Sequence, residues 1–242
     1  MRHNQSATFI TVVVLFIWLT AGVTGCAWFT SQRIESAEEL AAKGMEYFDD
    51  KDYGDALKTF TTLKERYPYS RYAILAELKV ADAHFYRSEY PEAISAYENF
   101  ARLHPKNQVI PYVFYQIGVC YYRQLLSLDR DQTVTHQAIL AFERLIKEHP
   151  NSIYTPKVKE RILTCRKLLA EHEVYVGRFY YKSKHYQAAL GRFESALADY
   201  PDALPAEKQE EVERLILVCK DKLHMTDNPG DNGYQKKASI RK

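Results

Sequence analysis

Small, aromatic and proline residues recur along this chain at fixed distances from one another. Four blocks close on similar tetrapeptides: ERYP at Pro68, RLHP at Pro105, KEHP at Pro150 and ADYP at Pro201. Twelve residues before each proline stands an alanine, at Ala56, Ala93, Ala138 and Ala189. Eight residues before it stands an aromatic, at Phe60, Tyr97, Phe142 and Phe193. Twelve residues before the alanine of the first, second and fourth blocks lie Gly44, Ala81 and Gly177, each followed three residues later by Tyr47, His84 or Tyr180. The third block has Gly118 and Tyr121 in the same relation, with eight extra residues before Ala138.

A small residue lets two antiparallel helices approach, an aromatic fills the seam, and a proline stops the second helix and turns the chain. The order small, aromatic, Ala, aromatic, Pro in a unit of about 34 residues is the tetratricopeptide pattern. The spacing predicts helix pairs at 36–49 and 53–66, at 71–87 and 91–103, and at 109–126 and 134–148. From Pro150 to Gly177 is 27 residues, against 13 from Pro68 to Ala81. The surplus of 14 residues is about four turns at 3.6 residues per turn. One long helix is therefore predicted over 156–182, joining two parts of a superhelix, with its partner at 186–199. A last helix over 205–223, apolar at Val212, Leu215, Ile216 and Cys219, is the cap that an open repeat stack needs. The expected fold is all-α: a superhelix of tetratricopeptide-type hairpins over 36–223, with a polar, disordered tail at 225–242.

The first 25 residues have a different character. Arg2 and His3 begin them, an apolar run from Phe9 to Leu19 is broken only by Thr11, and small residues lead to Cys26. This is the three-part plan of a cleaved secretory signal. The run is shorter than the roughly 20 apolar residues that span a bilayer, an uncleaved membrane helix being the alternative. Val23-Thr24-Gly25-Cys26 resembles the bacterial lipoprotein box, in which the thiol of the cysteine accepts lipid. Buried lipid contributes about 0.8 kcal/mol per CH₂, so several chains on Cys26 would anchor the protein firmly. Ala27, not Asp, follows, which resembles export to the outer membrane, and residues 26–35 would form the lipidated tether.

Composition narrows the function. From Cys26 onward there are 32 basic and 31 acidic residues, so no basic field recommends nucleic acid as a partner. Cys120, Cys165 and Cys219 form neither a CxxC pair nor a metal-ligand set with histidine, and buried free thiols are the expectation. No cofactor or metal is expected. The chain holds no GxSxG, no HExxH and no phosphate loop, so a binding scaffold is expected rather than an enzyme. Nineteen tyrosines, whose rings are apolar and whose tips are polar, suit both helix seams and wet grooves.

In such repeats the first helices line the concave face. Positions one before, one after, and four or five after the small residue point into the groove or its edge, which selects Met45 and Phe48, then Asp82, Phe85 and Tyr86, then Val119, Tyr122 and Arg123. An aromatic trough with a few charges would suit an extended peptide bearing aromatic side chains. The insertion at 125–136 is a second candidate, although Asp129, Arg130 and Asp131 in it could simply cap the next helix.

Several segments together resemble one family. They are the lipoprotein box, the RYP near residue 66, the insertion with DRDQ at 129–132, HPNSIYT at 149–155 and LAEHEVYVGRFYY at 169–181. In combination they are similar to the BamD family (also ComL or YfiO) of the outer-membrane β-barrel assembly machine. The resemblance implies a lipid-anchored scaffold on the periplasmic face of the outer membrane. It implies as partners a BamA-like barrel protein, other Bam lipoproteins and unfolded barrel proteins that end in an aromatic residue. It also implies that Arg192, beside Phe193, faces an acidic partner. The family often ends in a full helix pair, whereas one last helix is expected here. The competing expectation is a periplasmic repeat lipoprotein serving division or peptidoglycan machinery.

Overall fold

The computed structural model describes residues 34–227. Among them the regular structure is entirely α-helical. Its helices are α1 (Ala37–Asp49), α2 (Tyr53–Arg66), α3 (Ala73–Tyr86), α4 (Tyr90–Leu103), α5 (Ile110–Tyr122), α6 (Thr133–Glu148), α7 (Thr155–Lys182), α8 (Tyr186–Ala198) and α9 (Ala206–Asp227). The signal segment, Cys26 and residues 228–242 lie outside the described residues.

Local chemistry marks the helix ends. At the start of α1, Ser36 and Glu39 form a capping box: the Glu39 amide donates to Ser36 Oγ at 3.2 Å, and the Ser36 amide donates to Glu39 Oε2 at 2.9 Å. The first helices of the first, second and fourth hairpins all end on a left-handed residue, at Lys51 (φ 64°), Ser88 (φ 61°) and Lys184 (φ 63°). The amide just after each bonds back five residues, from Asp52 to Tyr47 (2.8 Å), Glu89 to His84 (3.0 Å) and His185 to Tyr180 (2.9 Å). This closure satisfies carbonyls that the helix end would leave bare. The second helices stop at Tyr67, His104 and His149, whose φ of −132°, −125° and −137° suit a residue before proline.

Helix α5 stops at Tyr122, short of the expected 126, because the Gln124 side-chain amide donates to the Cys120 carbonyl at 3.0 Å and so takes an acceptor that a further turn would use. Helix α9 runs to Asp227, four residues past the expected end. The insertion is an ordered loop. Buried Gln132 donates to the carbonyls of Ser127 (3.0 Å) and Arg130 (2.9 Å) and accepts from Thr135 Oγ1 (2.8 Å). Asp131, one residue before the N-cap Gln132, accepts from the Thr133 amide that opens α6 at 2.9 Å.

Packing inside three of the four hairpins turns on a glycine and the aromatic ring that meets it. A Cβ placed on Gly44 would lie 2.8 Å from the Phe60 ring. On Gly118 it would lie 2.3 Å from Phe142, and on Gly177 it would lie 2.6 Å from Phe193. Each ring is fully buried on bare helix backbone. Burial of one such ring contributes about 1.5–3 kcal/mol. The second hairpin differs, with Ala81 and Tyr97 in these places, both wholly buried.

Three apolar clusters result. The first joins α1, α2 and the start of α3; the second spans α3 to α6 and takes in Val158 and Cys165 of α7; the third joins the later α7, α8 and α9. Helix α7 thus crosses between two cores, contributing Val158 and Cys165 to one and Ala170 and Val174 to the other. Cys120 and Cys165 are buried free thiols, and burial raises their pKa to about 12 and about 11.

Two predictions follow from this packing. Gly118→Ala is expected to lower stability by about 1–3 kcal/mol, because the added methyl overpacks against Phe142. Gly191→Ala, whose methyl meets nothing within 4 Å, is expected to raise it by about 0.5–1 kcal/mol. Urea midpoints that moved the same way for both would contradict this packing. The second concerns acid. Glu89 accepts from Arg87 Nε and pairs with His84 Nδ1, both at 2.8 Å, and these partners, Arg87 first, hold its carboxyl down at about 2. A carboxyl depressed in the folded state stabilises above its unfolded pKa and loses that contribution as pH falls. Stability should therefore drop as pH falls from about 4.5 towards about 2, and less steeply in Glu89→Gln.

Candidate functional site

Successive first helices touch one another directly. Lys79 Nζ of α3 lies 4.1 Å over the Phe48 ring of α1, and Tyr86 of α3 meets the same ring edge-on at 5.6 Å. Tyr112 of α5 donates to Asp82 Oδ1 of α3 at 2.8 Å. Arg161 of α7 lies over two rings of α5, Tyr122 at 4.9 Å and Tyr115 at 5.4 Å. Between α7 and α9, Glu171 pairs with Lys208 (2.7 Å) and Arg178 with Glu211 (2.6 Å). Among the described residues no hydrogen bond, ion pair or ring contact joins one second helix to the next. A stack whose first helices meet and whose second helices do not is bent with the first helices inside. The first helices therefore form the concave wall.

The expected trough residues divide on this wall. Phe48, Phe85 and Tyr86 gather at the turn ends of α1 and α3, where Tyr53 stacks on Tyr86 at 4.8 Å and Tyr90 meets Phe85 at 6.0 Å. Tyr86 is 49% exposed, Phe48 and Phe85 are half-buried, and Met45 packs partly buried against the apolar cluster that holds Leu40 and Phe60. Tyr122 is half-buried under Arg161, and Arg123 is exposed at the α5 terminus.

Asp82 and Val119 do not line an open trough. Asp82 is 3% exposed, and Tyr97 donates to its Oδ1 at 2.7 Å alongside Tyr112. Its other oxygen takes Lys79 Nζ at 3.2 Å. Gln116 donates to the Tyr112 hydroxyl at 3.0 Å and extends the network along α5. Burial, with the Asp82 charge beside them, pushes the Tyr97 and Tyr112 hydroxyls well above the ordinary tyrosine range. A carboxylate out of water persists only with such partners, so Asp82 ties the second hairpin to the third. Val119 is core.

Arg192 of α8 donates to both carboxylate oxygens of Glu173 on α7 at 3.1 Å. The arginine is half exposed, the acid mostly covered. Its acidic neighbour is thus one of this chain's own, and its outer face is open.

Lys79, Tyr112, Tyr115 and Arg161 do not emerge from counting outward from the small residues. Counting eleven forward from the prolines finds two of them, since Lys79, Gln116 and Arg161 follow Pro68, Pro105 and Pro150 at that distance. The extra turns of α7 move Arg161 sixteen residues away from Gly177.

A family profile described as "YfiO: Outer membrane lipoprotein" matches residues 34–225. A relative from Caulobacter vibrioides, named outer membrane protein assembly factor BamD, is 29% identical over 81% of this chain and 66% of its own length. One of the same name from Rickettsia prowazekii is 32% identical over 66% of this chain and 64% of its own length. The chain thus spans a little under two thirds of the length of these two relatives. A solved structure, the TPR2AB-domain:pHSP90-complex of yeast Sti1, covers 77% of this chain and 70% of its own, at 17% identity and a TM-score of 0.49. With a profile match that runs from before α1 almost to the end of α9, the chain belongs to the YfiO family of outer membrane lipoproteins.

Proposed function

We propose that this chain is a non-enzymatic scaffold of the machinery that assembles β-barrels in the outer membrane. The observation that carries the reading is the family match across the whole helical stack, together with relatives named as outer membrane protein assembly factors. In this reading lipid on Cys26 holds the chain to the periplasmic face of the outer membrane. The aromatic part of the concave wall, Phe48, Phe85, Tyr86 and Tyr122 with Met45 and Arg123 at its margins, receives unfolded barrel proteins. Aromatic and apolar side chains of an extended segment would bury against these rings, each buried side chain contributing about 1.5–3 kcal/mol. The α7–α9 end, through Arg192, holds a BamA-like barrel protein, with other Bam lipoproteins in the same assembly.

The Arg192–Glu173 pair supports that last role. The guanidinium donates to Glu173 through Nη1, leaving other N–H groups for a second acid on a partner. The mostly covered Glu173 would keep the arginine in place before the partner arrives, which lowers the ordering cost of binding.

Affinity-tagged protein is expected to recover a BamA-like barrel protein from detergent extracts, and Arg192→Glu to lower that recovery about tenfold or more. Recovery of cell-wall enzymes alone would transfer the chain to division or peptidoglycan machinery. Cys26→Ser is expected to release the protein from membranes into the soluble fraction. A Cys26→Ser protein that still resisted carbonate extraction would mean that the N-terminal apolar run, not lipid, holds it.

A further inference from the structure

The contact between α1 and α3 is repeated between α5 and α7, with one part missing. In the first instance the cation eleven residues after Pro68, Lys79, lies over Phe48, which is four residues after Gly44. In the second, the cation eleven residues after Pro150, Arg161, lies over Tyr122, which is four residues after Gly118. Lys79 is answered by a carboxylate three residues on, Asp82, at 3.2 Å. Three residues after Arg161 stands Thr164, whose hydroxyl donates to its own helix at Glu160.

Arg161 therefore has a charge without a counter-ion. Among the described residues it makes no ion pair and no hydrogen bond. Arg66, Arg123, Arg130 and Arg214 share that lack but are exposed, so water serves them. Arg161 is partly buried, and its Nη1 is sealed from solvent with no acceptor. A buried N–H without an acceptor destabilises the fold, and few native groups are left so. The two tyrosine rings lie within 4.9 and 5.4 Å of the guanidinium carbon and offer it π-faces but no acceptor fork, whereas guanidinium N–H groups match a carboxylate fork.

We propose that Arg161, clamped by Tyr115 and Tyr122, is the carboxylate subsite of the concave wall. The ligand group is a carboxylate of a bound polypeptide, supplied either by its chain end or by an acidic side chain. The inference rests on the peptide-groove reading above and adds the chemistry that orients the peptide. The carboxylate does for Arg161 what Asp82 does for Lys79. Its first oxygen accepts from the reachable edge of the guanidinium. A small turn about the last side-chain torsions brings the Nη1 proton to the second oxygen. Rings on the same wall then receive the flanking apolar side chains, so charge and burial together set register and direction.

Three fluorescein-labelled decapeptides with alternating aromatic and polar residues test this by anisotropy on the full chain. One has a free C-terminus and no acidic side chain; the second is its amide; the third is the amide carrying one Glu. The wild type is expected to bind the first or the third at least tenfold more tightly than the second, and which of them it prefers identifies the source of the carboxylate. Arg161→Gln should bring all three to the affinity of the neutral peptide. Thr164→Asp retains Arg161 and supplies an internal acid, so it should also erase the preference while leaving neutral-peptide binding unchanged. Equal binding of all three by the wild type, or a preference that survives Arg161→Gln in protein with wild-type circular dichroism, overturns the subsite and leaves the groove standing. Failure of all three to bind removes the groove reading and the subsite with it.

Discussion

A phenyl ring pressed against bare helix backbone holds three of the four hairpins closed. Phe60, Phe142 and Phe193 occupy the space where Gly44, Gly118 and Gly177 would otherwise carry a Cβ. The contact is short-ranged and tolerates no extra atom, so it sets one distance between the two helices of each pair. Everything further out inherits that distance. Left-handed turns at Lys51 and Lys184 return the chain at the same place relative to the glycine, and proline stops the second helix eight residues after the ring. Repetition of one pair geometry brings the first helices into a row.

The row is not uniform. Towards the N-terminal end it is built from rings and cation–ring contacts, from Phe48 to Tyr122. Beyond the middle of α7 it is built from ion pairs, Lys208 with Glu171 and Arg178 with Glu211. These are exposed pairs, each worth at most about 1 kcal/mol, and they flank an apolar cleft lined by Val174, Leu204 and Val212. Helix α7 passes through both regions. Its length couples them mechanically, since a helix that packs into two cores fixes the angle between them. The insertion loop adds a tie at this junction, where His172 Nδ1 of α7 donates to the Leu128 carbonyl at 2.6 Å.

Buried polarity has a separate task here. Asp82 gathers Tyr97, Tyr112 and Lys79, and through Tyr112 it reaches Gln116. Such a network is satisfied only when the second and third hairpins meet at one angle, because hydrogen bonds are directional where apolar contact is not. Arg161 stands at the corresponding place in a later repeat without such an acid. That difference separates a joint closed within the chain from a joint that has bonding capacity left for a ligand.

Much of this was legible from spacing. Proline, glycine and the aromatic eight residues before each proline specify local geometry, so the helices, their order and the extra length of α7 follow from the sequence alone. Helix ends set by side chains did not follow: Gln124 ends α5 by taking the Cys120 carbonyl, a competition that periodicity does not register. The binding face was legible only in part. Tyr86 and Tyr122 share a spacing rule with Asp82 and Val119, yet two of the four are buried, because whether a position faces the groove depends on the neighbouring repeat packed against it. The pairing of each glycine with a ring, the burial of Asp82 and the unanswered charge of Arg161 were decided by tertiary structure. Each depends on groups from separate helices meeting within a few ångströms, and a linear pattern carries no information about distance across a seam.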